Sequence, residues 1–262
     1  MTTNPIDPTV PHNARVWNYW LGGKDNYAAD RAFADRMAEL LPVMPQLAKA
    51  DRAFLRRAMR YLTDEAGIRQ FIDVGTGLPT EGNTHELAQR IAPESRVVYV
   101  DNDPLVLAHA EALLTSGPHG ATAYLHQDAR EPEGILTGAR ETLDFGRPVA
   151  VLGLSVLHFL DDAEVKTTVR TLMDAVPSGS FLAVAHATTE YADPHDLRGL
   201  QHWNTHSPTP IHLRSREDLT ALLLEGLELL EPGIVSCGRW RADDIWRDAP
   251  EVPQFGLVAR KP

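Results

Sequence analysis

Residues 71–91, FIDVGTGLPTEGNTHELAQRI, constrain the fold more than any other stretch. Phe71-Ile72-Asp73-Val74 is a short apolar run with one acid, set between Gly67 and Gly75, as in a strand buried within a parallel sheet. Gly75 and Gly77 then turn the chain, since glycine tolerates positive φ and admits a ligand close to the backbone. Asn83, with Glu86 three residues later, has the spacing of a capping box and predicts a helix over residues 84–91. A ligand group can therefore rest against the loop and the first helical amides.

A dinucleotide fingerprint would place a third glycine three residues after Gly77, but Thr80 stands there, and Pro79 and Gly82 lengthen the loop. The acid Asp73 suits a ligand with a positive group near the loop, and S-adenosylmethionine carries an ammonium, a sulfonium and no phosphate. A second strand, residues 96–100, ends in Asp101-Asn102-Asp103-Pro104. Asp101 is placed to accept from two ribose hydroxyls, a use common to NAD and S-adenosylmethionine. Asp103 and Pro104 are the cap and first position of a helix running to about residue 114. A third strand, 121–126, leads into Gln127-Asp128-Ala129, where the carboxylate can accept from an adenine amino group and the next amide can donate to the ring. A fourth, 148–154, ends in Ser155 and, three residues on, His158.

The order DVGTG, YVDNDP, HQDAR, LGLSVLHFLDD and VPSGSFLAVAH, over residues 71–186, resembles the class I S-adenosylmethionine-dependent methyltransferases. More narrowly, PHNARVWNYWLGGKDNYAADR near the N-terminus and GLPTEGNTHE resemble the actinobacterial S-adenosyl methyltransferase family, formerly a domain of unknown function. The resemblance implies a Rossmann-like α/β fold, a mostly parallel seven-stranded sheet with helices on both faces and an N-terminal helical cap. It also implies S-adenosyl-L-methionine as cofactor, but no particular acceptor. The candidate cofactor contacts are Asp73, Gly75, Thr76, Gly77, Asp101, Asn102, Asp128, Ala129 and Ser155.

The remaining chain fits one sizeable α/β unit, divided at residues 63–68 into a tail and helical cap, 1–66, and a cofactor-binding domain, 67–262. Helical spacing is read over residues 14–21, 28–41 and 47–62, and again after Asp161 or Asp162 and after Ser215. A fifth strand is read at 180–187 and closing strands at 233–236 and 254–260, whose antiparallel pairing is implied by the resemblance. Residues 188–212 show no clean period, and within them 191–212 read as an acceptor-site loop. The net charge of −11 repels nucleic acid and anionic membranes, so neither is an expected partner, and a small-molecule acceptor is. A single cysteine, Cys237, and no long apolar span fit a cytoplasmic protein.

Methyl transfer asks the protein mainly to position the reactants in a site closed to water, and it needs a base only if the acceptor must lose a proton. His158, at the rim after the fourth strand, is the candidate catalytic residue, and it equally suits a packing role. His202 and His206 could share a helical face, but Pro208 and Pro210 argue against a helix through 204–210 and no familiar ligand spacing is completed, so no metal is expected. Trp17, Tyr19 and Trp20 together with Arg15, Lys24, Asp25 and Asn26 form either a packed strut or a lid; the resemblance favours a lid, with Arg15, Tyr19, Lys24 and Asn26 as its acceptor-facing residues. Two other readings stay open at this level: a protein that binds S-adenosylmethionine or S-adenosylhomocysteine without catalysis, and an NAD(P)-dependent oxidoreductase. Against the latter stand the missing third glycine and the lack of a Tyr and Lys pair near the fourth strand.

Overall fold

The structure, a computed structural model, describes residues 7–80, 82–113, 116–207 and 209–262. Three helices come first, α1 (Asn13–Trp20), α2 (Ala28–Leu40) and α3 (Met44–Arg60). A π-helical turn at Tyr61–Glu65 then leads into β1 (Gln70–Val74). Strands and helices alternate from there: α4 (Thr84–Ile91), β2 (Arg96–Asp101), α5 (Pro104–Leu113), β3 (Ala121–His126), α6 (Pro132–Ala139), β4 (Ala150–Leu154), a 3-10 turn at Leu157–Phe159, α7 (Asp162–Asp174) and β5 (Phe181–Ala187). The chain closes with α8 (Pro194–His206), α9 (Arg216–Leu223), β6 (Glu228–Leu229), β7 (Val235–Ser236) and β8 (Gln254–Arg260).

The strands lie side by side in the order β3-β2-β1-β4-β5-β8-β6, with β7 also paired to β8. The first five are parallel, with Ile72 opposite Val98 and Val151, whereas β8 runs antiparallel to β5, Ala183 facing Val258. The edge position expected to hold one strand is thus shared by two short ones, so seven positions hold eight strands. Both faces are covered, which is why the parallel strands are mainly apolar on both sides, with Gln70, Asp73 and His186 as buried polar exceptions. Phe71, Val97, Leu152, Phe181 and Ala183 point to one core with Phe54, Met59 and Leu62 of α3 and its π turn, while Ile72, Val98, Val151, Leu182 and Val184 point to the other with Ile135, Val165 and Leu172. By that alternation Asp73 faces α3. The helices ahead of β1 thus share the sheet's own core, and Phe54 and Trp240 meet edge to face at 5.5 Å within it.

Capping residues set the helix starts as their sequence spacing predicts. Asn83 with Glu86, Asp161 with Glu164 and Ser215 with Asp218 each close a reciprocal box. The segment read as an irregular loop is a correction, because α8 occupies residues 194–206. Asp193 accepts from the amides of His195 and Asp196, Pro194 takes the first helical position, and Pro210 lies past the last turn while Pro208 is outside the described residues. The helix buries Gly199, Leu200 and Trp203 alone, too narrow a stripe to show as a period. His202 and His206 do stack on one helical face, ring centroids 3.9 Å apart.

Candidate functional site

The carboxyl ends of β1 to β4 open into a cavity of about 280 Å³, where ligands of open α/β sheets bind. Its floor is the loop after β1. Gly75 has φ 69°, and a Cβ there would collide with Val156 after β4, so this glycine lets two strand ends approach closely. Gly77 has φ 66°, yet a Cβ there would meet nothing within 4 Å, because that atom would project into the open space of the cavity. The first glycine serves the fold and the second leaves room for a ligand.

Asp101 closes the second strand at this rim. Its Oδ2 accepts from the Gly77 amide at 2.8 Å and its Oδ1 from the Asp103 amide at 2.9 Å, so the carboxylate is oriented beside the glycine loop. Burial raises its carboxyl above the usual range despite those two bonds. Asp128 is more open. Burial pushes it up, but the Arg130 amide, the Asn102 amide group and the Arg130 charge outweigh that and hold it below the usual range. Asn102 Nδ2 donates to Asp128 Oδ2 at 2.8 Å, which links the second and third strand ends. Thr76 and Ala129 complete this half of the wall.

The cavity's centre holds a group of buried ionisable residues, part of which sequence reasoning missed. Asp73 accepts from the Thr84 hydroxyl at 2.5 Å, and burial pushes its carboxyl up to about 6 against the pull of Thr84 and Arg52. Asp51 of α3 lines the same cavity and feels the Asp73 charge. Its Oδ1 accepts from the Ser155 hydroxyl at 3.0 Å and from Gln254 Nε2, and Gln254 Nε2 in turn lies 2.9 Å from Ser155 Oγ. Burial pushes Asp51 up to about 6 as well, opposed by Ser155, Arg52 and Gln254 and reinforced by the Asp73 charge. Arg52 donates to the Gly82 carbonyl at 2.8 Å, and burial lowers its value while both aspartates raise it. Ser155 takes φ 58°, a left-handed conformation uncommon for a residue with a Cβ and one that gathers at sites where geometry matters. A sequence signal for Asp51 existed. Leu47, Asp51 and Leu55 are four apart, so an acid sits on an apolar helical stripe, and all three line the cavity.

All nine candidate cofactor contacts line this cavity, as does His158. The His158 ring is 7% exposed, lies edge-on to Phe159 and His186, and its Nδ1 has no hydrogen-bond partner among the described residues. Burial, then the neighbouring His186, Arg214 and His212, drive its value well below that of free histidine, so the ring is neutral at pH 7. Arg15, Tyr19, Lys24 and Asn26 are not among the described lining residues. Arg15 is buried and donates to Asp30 at 3.2 Å and to the Val10 carbonyl at 2.6 Å, while Tyr19 donates to Asp35 at 2.9 Å. Asn26 donates to Asn18 at 3.0 Å, and Lys24 is exposed. From the same segment it is His12, Asn13, Ala14, Trp17, Asn18 and Trp20 that reach the cavity.

A parallel five-stranded core continued by an antiparallel strand, with a glycine loop and acids closing its first strands around one cavity, defines the class I S-adenosylmethionine-dependent methyltransferases. The sequence profile of the S-adenosyl methyltransferase family matches residues 1–262, and the chain belongs to that family. It is an S-adenosylmethionine-dependent methyltransferase whose methyl acceptor is not identified. Among solved structures it is similar to a DUF574 family protein from Streptomyces avermitilis, at 43% identity and TM-score 0.93, covering 98% of this chain and 99% of that one. It is also similar to a candidate methyltransferase from Thermobifida fusca, at 36% identity and TM-score 0.86, covering 97% and 96%. The magnesium protoporphyrin IX methyltransferase of Synechocystis PCC 6803, with bound S-adenosylhomocysteine, shares the fold at 14% identity and TM-score 0.56, covering 94% and 93%. A search of curated proteins gave no match.

Proposed function

We propose that the protein methylates a small molecule held in the continuation of the cofactor cavity, and that Asp73, Gly75, Thr76, Gly77, Asp101, Asn102, Asp128, Ala129 and Ser155 hold the cofactor. The observation that carries this reading is the convergence of those nine residues on one cavity, whose wall then continues through apolar side chains of α1, α3 and α8. In this assignment Asp101 takes the ribose hydroxyls, Asp128 and the Ala129 amide take adenine, and Asp73 offsets the positive end of the cofactor. When bound, S-adenosylmethionine supplies an activated methyl group on its sulfonium. The residues around it have to orient, desolvate and exclude water. His158 lines the cavity as a neutral imidazole whose ring packs beside the acceptor, since its Nδ1 is buried and its depressed basicity makes it a poor proton store near pH 7.

Residues 1–66 serve as a cap on the domain formed by 67–262, with α1 closing the cavity through Trp17 and Trp20 rather than through its charged side chains. The net charge of −11 favours a small acceptor over nucleic acid, and the single buried cysteine fits a cytoplasmic location. Among the described residues, no helix is long and apolar enough to cross a membrane. The test is a screen of small acceptors with methyl-labelled S-adenosylmethionine and the purified protein. Label should appear in an organic-soluble product, and label transferred only to added RNA or protein would overturn the small-molecule assignment.

A further inference from the structure

We infer that the acceptor is an apolar ring compound whose reacting atom carries an O–H or N–H: as that atom bonds the methyl carbon, the methyl–sulfur bond breaks with its electron pair left on S-adenosylhomocysteine, and the O–H or N–H proton passes to the Asp51 carboxylate. The inference rests on the methyltransferase reading of the cavity. Its first support is the chamber beyond Ser155, walled by Trp20, Leu41, Met44, Leu55, Leu200 and Trp203. Trp20 and Trp203 are 6.3 Å apart, and Gly199 lets α8 pack so tightly on Leu41 and the Leu40 carbonyl that a Cβ would collide with both. Such walls offer dispersion and apolar contact to a ring and no partner to a scattered set of polar groups.

The second support is the placement of the carboxylate. Asp51 lies between Leu47 and Leu55 on the stripe of α3 that faces the chamber, and it is 4% exposed. One oxygen, Oδ1, is occupied by the donors of Ser155 and Gln254, which fixes the carboxylate plane. An ionised carboxylate accepts at both oxygens and donates from neither, so the group that completes this site is a hydrogen-bond donor. Burying a charged acceptor without a further partner is costly, and the elevated value of Asp51 reflects that cost. The charged groups facing it are Arg52 from its own helix, whose charge favours the ionised carboxylate and which also donates to the Gly82 carbonyl, and Asp73 from β1. A carboxylate acceptor placed in the chamber would meet Asp51 at close range and be repelled, whereas a neutral hydroxyl or amine would be held.

Calorimetry on the S-adenosylhomocysteine complex at pH 8, with 1-naphthol, 1-naphthylamine and 1-naphthoate as probes that share one ring system, tests this without a known acceptor. Naphthol or naphthylamine should bind at least about tenfold more tightly than naphthoate, and the tighter of the two points to oxygen or nitrogen as the accepting atom. Asp51→Asn should erase that selectivity, and Asp51→Ser, which removes the carboxylate without adding a donor amide, should do the same. Preference for naphthoate, no binding by any probe, or unchanged selectivity in both variants would overturn the inference while cofactor binding stands. Failure of S-adenosylhomocysteine itself to bind would remove the cofactor assignment of the cavity and this inference together.

Discussion

Replacing Asp73 by Asn separates what this acid costs the fold from what it gives the ligand. In the cofactor-free protein its carboxyl is raised from 3.8 to about 6, chiefly by burial. Keeping it ionised at pH 8 therefore costs roughly 3 kcal/mol, at 1.36 kcal/mol per tenfold change in proton affinity. The sign follows from the direction: a carboxyl raised in the folded state stabilises the fold below 3.8, and that contribution is lost as pH climbs through about 6. Asn is neutral throughout and keeps a carbonyl oxygen for the Thr84 hydroxyl. It also relieves Asp51, whose value Asp73 helps to raise. Asp73→Asn should therefore raise the melting temperature at pH 8 by several degrees, at roughly 2 to 4 °C per kcal/mol for a chain of this size, and by about half as much at pH 5. The added stability from S-adenosylhomocysteine should shrink, by about 1.5 to 3 kcal/mol, because a charged partner for the ligand's ammonium is gone. Thermal unfolding with and without ligand at the two pH values measures each of these. Equal destabilisation at both pH values with an unchanged ligand shift would refute the reasoning and make Asp73 an ordinary cap for α4.

Asp101→Ala should lose about 1.5 to 3 kcal/mol of S-adenosylhomocysteine affinity by calorimetry, and unchanged affinity would remove Asp101 from the site. Asp128→Asn turns one acceptor into a donor facing the adenine amino group, so binding should weaken and discrimination against the inosyl analogue should fall. Gly75→Ala should lower the melting temperature through its clash with Val156, whereas Gly77→Ala, strained at φ 66° but sterically free, should weaken ligand binding relative to its smaller effect on melting. Arg15→Ala leaves Asp30 buried beside an empty position and should cost about 3 to 5 kcal/mol of stability. A variant that melts normally but binds the ligand poorly would return Arg15 to the lid.

Much of this architecture could be read because its signals are local. The strands 121–126 and 254–260 and the helix 84–91 match their observed bounds, since apolar runs, glycine turns and capping boxes act within a few residues. The acids at the ends of β1 to β3 could be read for the same reason. What escaped depends on partners far away in sequence. Arg15 has the look of a ligand-facing cation until Asp30, fifteen residues on, is seen to hold it, and Asn26 that of a ligand-facing amide until it is seen to donate to Asn18. Asp51 has the look of one charge among several on α3 until Ser155 and Gln254 converge on it. The helix α8 escapes a reading of the sequence because its three buried residues make too faint a period, and its cap at Asp193 shows only in the structure.

The hydrogen bond from Gln254 to Asp51 joins residues 203 positions apart, and Ser155 sits between them. Gln254 opens β8, the antiparallel neighbour of β5. During folding, then, the parallel strands and the glycine loop can form from nearby segments, while the polar centre of the cavity waits for a pairing across 203 positions. Contacts of such long sequence separation form late because the loop they close must first be ordered. Ligand competence should consequently trail the gain of helical signal in a refolding experiment, and the C-terminal strand acts as the molecule's final checkpoint, joining completion of the sheet to completion of the site.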